Sequence, residues 1–382
     1  MPFAVHSCAP SMALDKPFGK VDCLSFEAFR GRHGICRPNP KQNGHVWVPI
    51  VLTELHRLSS IPSRAARVWL VVILAFVVSA GPAAARGYNP PHSAIVMDAK
   101  TGRVLFSENA NAPRYPASLT KMMTLYLLFD AMKNGKVSKS TRVPVSAYAS
   151  GRPPTKVGLK PGDTIAVEDA IYSIVTQSAN DVATAVGEFL GAGSEARFAQ
   201  LMTAKAHELG MTSTHFDNAS GLPDPQQKTT AHDMALLGIA LQEHFPDYYR
   251  YFSTESFTYR GRRMRNHNHL LGRITGVDGI KTGFTNASGF NLVASAAQGD
   301  RRIVAVVMGG ASARSRDAQV AGLIQKYLPR ATTRDQGPVI AARTPGGIVV
   351  PGKAVLPAPS VAPVPSAPAV LAYADDSAPV PR

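Results

Sequence analysis

A serine and a lysine three residues apart, Ser118 and Lys121, open a long apolar-periodic run in the stretch Pro116-Ala117-Ser118-Leu119-Thr120-Lys121. On a helix, residues i and i+3 share a face with Cβ atoms about 5–6 Å apart, so the hydroxyl and the amine meet without help from the rest of the fold. A helix start also supplies unpaired backbone N–H groups and positive partial charge. That field favours an alkoxide at Ser118 and an oxyanion on a carbonyl under attack. Serine becomes a nucleophile only with a base in hydrogen-bond reach, and Lys121 is the base available. An ordinary lysine is protonated at neutral pH, but burial and a second nearby cation both favour its neutral form. The S-x-x-K spacing occurs once in the chain and is weak by itself, because a serine at a helix start is usually an N-cap.

Two pieces downstream complete such a site. Ser178-Ala179-Asn180 sits between two helical patterns, and Lys281-Thr282-Gly283 sits on a run of strand character. Lys281, brought alongside, would be the cation that drives Lys121 toward the amine, so that Lys121 takes the Ser118 proton while Lys281 stays charged. Ser178 and Asn180 would extend the hydrogen-bond relay and hold a substrate amide, although Ser-Ala-Asn alone reads as a plain polar turn. An oxyanion hole needs two donors about 2.7–3.1 Å from the oxyanion. The Ser118 N–H is one; Phe284 on the Lys281 strand can give the other, with Gly283 permitting close backbone approach. Thr282 and a neighbouring arginine could grip a carboxylate bidentately. There is no G-x-S-x-G elbow for a Ser-His-Asp triad. No H-E-x-x-H or three-ligand histidine set occurs either, so neither metal nor cofactor is expected.

The elements that must position these residues follow from the whole chain. At 382 residues, 45% apolar and 18% charged, it has room for one large domain or two ordinary ones. A net charge of +15 gives a basic surface, suited to an anionic cell-envelope polymer; no Lys/Arg block interleaved with aromatics points to nucleic acid. Residues 1–60 lack sustained periodicity and are expected to be poorly ordered. In 61–85, Arg64 and Arg67 precede the apolar run Val68–Ala80, which Gly81-Pro82 breaks before Ala83-Ala84-Ala85. That is the pattern of a secretory signal peptide cut after Ala85, too short for a span of about 20 residues; an uncleaved anchor is the alternative. Cys8, Cys23 and Cys36 all precede the cut, so removal of the signal removes all thiol chemistry.

From Ser93 the pattern predicts a hairpin turning at Ala99–Gly102. The Ser118 helix follows, with apolar Met122, Leu125, Tyr126, Leu128, Phe129 and Met132, ending at Asn134-Gly135. Ser146–Pro161 reads as loop. Helices are predicted over 167–175, 181–190, 194–209 and 230–245, then a three-stranded antiparallel meander over 279–308 and a closing helix over 316–328. Residues 331–382, rich in Pro, Ala and Val, read as a disordered tail.

Ser93 to Leu328 resembles the D-alanyl-D-alanine carboxypeptidases, the low-molecular-mass penicillin-binding proteins. The resemblance rests on Tyr115–Thr124, Gln177-Ser-Ala-Asn-Asp181, Val277-Asp-Gly-Ile-Lys-Thr-Gly283 and Asn291-Leu-Val-Ala-Ser295, with S-x-x-K, S-x-N and K-T-G in the family's order. It implies an α/β (α+β) fold of the β-lactamase/transpeptidase type, an antiparallel sheet flanked by helices with an all-α part, in a catalytic domain over 88–330. It implies removal of the terminal D-Ala from peptidoglycan stem peptides through an acyl-enzyme on Ser118, with β-lactams as covalent inhibitors. Catalysis would fall to Ser118, Lys121, Ser178, Asn180 and Lys281. Substrate would be held by Lys281, Thr282, Gly283, Phe284 and Arg316, the last on its terminal carboxylate with Arg314 as rival.

The sequence also departs from the family. Phe284 stands where some members carry histidine. The Pro/Ala tail replaces the second β-rich domain and membrane-binding helix that members often have, so a periplasmic enzyme with no stable membrane anchor is expected after signal cleavage. Rival readings are a D,D-endopeptidase on peptidoglycan cross-links, a class A-like β-lactamase and a non-catalytic wall-binding protein. No Glu in the chain has Asn four positions on, which removes the loop glutamate a class A enzyme uses for deacylation.

Overall fold

The computed structural model describes residues 90–334 and 336–340; the expected N-terminal extension, signal segment and tail from 341 onward lie outside these residues. The elements run β1 (Ser93–Asp98), β2 (Val104–Glu108), α1 (Lys121–Lys133), β3 (Arg142–Pro144), α2 (Ala147–Ser150), β4 (Thr164–Ala166), α3 (Val167–Thr176) and α4 (Asn180–Leu190). Then come α5 (Glu195–Glu208), α6 (Ala231–His244), α7 (Pro246–Tyr249), β5 (Ser256–Tyr259), β6 (Arg262–Arg265), β7 (Val277–Thr285), β8 (Gly289–Gln298), β9 (Arg301–Gly310) and α8 (Ala313–Tyr327).

Five strands form an antiparallel sheet in the order β2-β1-β9-β8-β7. The expected hairpin and meander are both there, joined where β1 pairs with β9 from Ser93↔Met308 to Asp98↔Ile303. Side chains alternate across a strand, and both faces of this sheet are covered. On β9, Val304, Val306 and Met308 face the larger, helical core, while Ile303, Ala305 and Val307 pack with Val320, Ile324 and Tyr327 of α8. Coverage on both sides explains why these strands read as nearly unbroken apolar runs.

Helix α1 is buried on nearly every side, as expected of a helix that is apolar all round. It threads the larger core, where Phe129, with no exposed surface, lies among the rings of Phe245, Tyr248, Tyr251 and Phe252. Truncating such a residue to alanine costs about 3–5 kcal/mol. Asn134 caps the helix C-terminus and Gly135, at φ +69°, takes the chain away. Helix α8 starts three residues before its expected position because Ser312 and Ser315 form a reciprocal cap. The stretch read as loop, Ser146–Pro161, contains the one-turn helix α2, begun by Ser146 Oγ accepting from the Ala149 N–H. A β5–β6 hairpin also escaped the periodicity; it turns at Arg260-Gly261, both with positive φ, the backbone that two-residue hairpins prefer.

The described part of the C-terminal segment is packed. The Thr332 N–H donates to Asp98, those of Val339 and Ile340 donate to the two oxygens of Glu243, and Ile340 is buried. Among the described residues no helix is long and apolar enough to cross a membrane.

Candidate active site

Pro116 begins a single 3₁₀ turn, Ala117–Thr120, that runs directly into α1. The S-x-x-K pair therefore spans the junction of the two helix types, and Lys121 Nζ lies 3.1 Å from Ser118 Oγ. The turn is held from two sides. Ala117 has φ +48°, a conformation costing a non-glycine residue on the order of 1–3 kcal/mol, and its carbonyl rests against Gly221. A Cβ built on Gly221 would lie 1.9 Å from that oxygen, so no other residue fits. From the sheet side, Asn291 on β8 donates through Nδ2 to the carbonyls of Tyr115 (3.1 Å) and Pro116 (3.3 Å).

Lys121 has no exposed surface. Besides Ser118 it reaches two carbonyl oxygens, Asn180 Oδ1 at 2.7 Å and the backbone oxygen of Ser220 at 2.5 Å. Asn180 is oriented by its own amide nitrogen, which donates to the Pro153 carbonyl at 3.0 Å, leaving Oδ1 to face the lysine. Two acceptors absorb two N–H bonds of an amine; the third direction, toward Ser118, is then that of the lone pair. Burial first, and the charge of Lys281 second, hold Lys121 well below the ordinary lysine value, while Asp181 and Glu195 act in the opposite sense. Burial and the Lys281 charge favour the neutral amine, and in that form this geometry aims its lone pair at Ser118.

The other elements arrive through their own supports. Ser178 takes φ +58°; its carbonyl accepts from Thr155 Oγ1 at 3.1 Å, and the next turn is fixed by the Asn180 N–H on the Thr155 carbonyl at 2.7 Å. Its hydroxyl is buried and has no partner among the described residues, so no relay from Ser178 to the lysines is formed among them. Asp181, wholly buried, accepts from the N–H groups of Val157, Gly158 and Leu159 and so folds the segment 153–159 onto the start of α4. Lys281 is 2% exposed and donates to the Thr282 carbonyl at 2.9 Å. Gly283 packs against the nucleophile turn: a Cβ there would sit 3.0 Å from Ser118 N and 3.1 Å from Pro116 O. Phe284 is half-exposed, its ring 4.2 Å from that of Phe290. Strand β7 is the edge strand of the sheet, and its Gly283 lies beside Ser118.

Of the arginines, Arg314 is exposed and Arg316 has no exposed surface. Arg316 Nε donates to Asp317 Oδ1 and Nη1 to the Asn291 carbonyl, each at 3.0 Å, while the buried Nη2 has no partner among the described residues. The guanidinium thus braces β8 behind the site with Nη2 to spare. Three supports went unassigned in the sequence reading: Asn291, Asp181 and the loop 218–222. The first two lay inside quoted motifs. The loop's sequence, Asp217-Asn218-Ala219-Ser220-Gly221-Leu222, is rich in turn formers; in the fold Asn218 Oδ1 accepts from the N–H groups of Ser220 and Gly221.

Comparison with known proteins gives a consistent neighbourhood. A family profile described as D-alanyl-D-alanine carboxypeptidase matches residues 85–312. The chain is 42% identical over 234 residues to the D-alanyl-D-alanine carboxypeptidase DacA of Escherichia coli (strain K12), covering 59% of this chain and 58% of that protein's length. Among solved structures it resembles penicillin binding protein 5 from Haemophilus influenzae, with TM-score 0.60 at 31% identity over 64% of this chain and 72% of that one. It also resembles Penicillin-Binding Protein D2 from Listeria monocytogenes in a cefotaxime-bound form, with TM-score 0.54 at 31% identity over 61% of this chain and 95% of that one. The sheet flanked by helices is the fold these proteins share.

Proposed function

We infer the reaction from one premise: the chain belongs to the D-alanyl-D-alanine carboxypeptidase family. On this reading it is a serine peptidase that removes the terminal D-Ala from peptidoglycan stem peptides. The observation that carries the reading is Lys121 Nζ held between Asn180 Oδ1, the Ser220 carbonyl and Ser118 Oγ.

Lys121 takes the Ser118 proton as Oγ attacks the carbonyl of the penultimate D-Ala. The N–H groups of Ser118 and Phe284 receive the oxyanion. As the peptide bond breaks, the proton on Lys121 passes to the leaving D-Ala nitrogen, and the acyl group stays on Ser118 as an ester. Water, deprotonated by the regenerated Lys121 amine, then releases the shortened peptide. A peptide lying antiparallel to the free edge of β7 presents its carbonyl to the nucleophile through main-chain hydrogen bonds. Thr282 and the spare Nη2 of Arg316 are assigned to the terminal carboxylate, and the unpartnered Ser178 hydroxyl to the substrate amide and the leaving group. A β-lactam carbonyl entering the same way leaves a covalent adduct on Ser118, since its leaving nitrogen remains tethered. The substrate lies in the periplasm, to which residues 61–85 are assigned as the signal.

The test is incubation with a peptide ending in D-Ala-D-Ala and, separately, with dimeric muropeptides. Free D-alanine without cross-link cleavage supports the carboxypeptidase; cross-link cleavage alone makes the protein an endopeptidase; neither, with no penicillin adduct on Ser118, overturns the catalytic reading.

A further inference from the structure

Glu195 begins α5, is 7% exposed, and has no part in the chemistry above. Its carboxylate meets three donors and no acceptor. Oε1 accepts from Thr184 Oγ1 and from the Ala219 N–H, each at 3.0 Å, and Oε2 accepts from Tyr148 OH at 3.0 Å. An ionised carboxylate is an acceptor-only group, so the three donors fit a charged side chain. Those bonds join α2, α4 and α5 to the loop 218–222. The same loop carries the Ser220 carbonyl that receives Lys121 and the Gly221 that seats Ala117. Its other anchor to α1 is Thr124 Oγ1 on the Ala219 carbonyl at 2.6 Å. Glu195 therefore holds the N–H of Ala219, the residue next to the one whose carbonyl meets Lys121.

We propose that Glu195 is a positioning residue for the acylation reaction: through the Ala219 N–H it holds the loop whose Ser220 carbonyl aims the Lys121 lone pair at Ser118, and its charge acts on Lys121 against that of Lys281. The inference rests on the Ser118–Lys121 reading above. The charged and titratable groups facing the pair are Lys281 from β7, Asp181 and Glu188 from α4, Tyr148 from α2 and Arg152 just beyond it. Glu195 raises the proton affinity of Lys121 and opposes Lys281. Burial, and next the Glu195 charge, push Tyr148 up to about 12. Glu188 is also raised, by burial first, with Glu195 adding to it.

The experiment follows the rate of Ser118 acylation by a fluorescent penicillin from pH 5 to 10 in the parent, Glu195→Gln and Glu195→Ala proteins. Glutamine keeps an oxygen for the Ala219 N–H and removes the charge, so Lys121 binds its proton less tightly. The limb on which acylation rises with pH then moves to lower pH, by roughly half a unit to one unit. Alanine removes the clamp too, so the acylation rate constant falls at least roughly tenfold at the pH plateau while the affinity of the first, non-covalent complex changes little. Loss of packing alone leaves the limb in place, so an unmoved limb in Glu195→Gln overturns the proposal. A folded Glu195→Ala protein acylating at the parental rate overturns it as well. If Glu195→Ala does not fold, the Glu195→Gln limb decides alone. A parent protein that is never acylated overturns the underlying catalytic reading instead, so the two failures are distinct.

Discussion

Replacing Gly221 by alanine tests whether the nucleophile's position is set by the loop beside it. The new Cβ would lie 1.9 Å from the Ala117 carbonyl oxygen and 3.0 Å from Ser118 N. Ordinary carbon–oxygen contact is about 3.3 Å, so the two segments must part by roughly 1.4 Å. A shift of about 1 Å in a catalytic group costs on the order of 100-fold in rate. Gly221 also sits at φ +81°, and the left-handed backbone adds about 1–2 kcal/mol for a residue with a Cβ. Strain and overpacking together amount to about 2–5 kcal/mol, or a melting temperature lower by about 4–20 °C in a domain of this size. Gly162→Ala is the matched control: its φ is +85°, but nothing lies within 4 Å of the added Cβ. Penicillin acylation and thermal melting would be measured on both. The expected result is near-parental acylation for Gly162→Ala and a loss of about two orders of magnitude for Gly221→Ala. If the two variants behave alike, the contact is unimportant and the account of the turn is wrong.

Other perturbations have defined signs. Lys281→Ala removes a charge that lowers the proton affinity of Lys121, so the basic limb of acylation should move to higher pH; a limb that stays put or falls shows that the lysines are not coupled. Asp181→Ala strips the acceptor from three loop N–H groups, that of Leu159 buried, which should cost about 1–3 kcal/mol, read as a drop in melting temperature with acylation impaired below it. Asn291→Ala cuts the link between β8 and the Tyr115-Pro116 carbonyls; acylation should slow by roughly tenfold or more with little change in the first penicillin complex, and an unchanged rate would dismiss the brace.

How much of this was readable beforehand depends on the reach of the interaction. The hairpin, the meander and the buried helix α1 follow from local periodicity, and Ser118 finds Lys121 because three residues of helix bring them together. Asn180 and Gly283 were named from motifs; in the fold Asn180 Oδ1 lies 2.7 Å from Lys121 Nζ, and a Cβ on Gly283 would sit 3.0 Å from Ser118 N. Arg316 was named for the substrate's terminal carboxylate; that it is buried against Asn291 was not legible, because burial of an arginine depends on neighbours far away in sequence. The loop at 218–222 stayed opaque for the same reason. Its value lies in one carbonyl and one missing Cβ, and neither leaves a trace in composition or period. Short elements such as α2 and β5 were missed because four residues cannot display a repeat.

The central claim, that a neutral Lys121 takes the proton of Ser118, is tested most directly by the pH dependence of single-turnover acylation with the adduct located by peptide mass. The account predicts an adduct on Ser118, a rate rising through one ionisation well below the ordinary lysine value, and loss of that limb and of acylation in Lys121→Ala. An adduct elsewhere, a limb at the ordinary lysine value, or a Lys121→Ala protein acylated at the parental rate would contradict it.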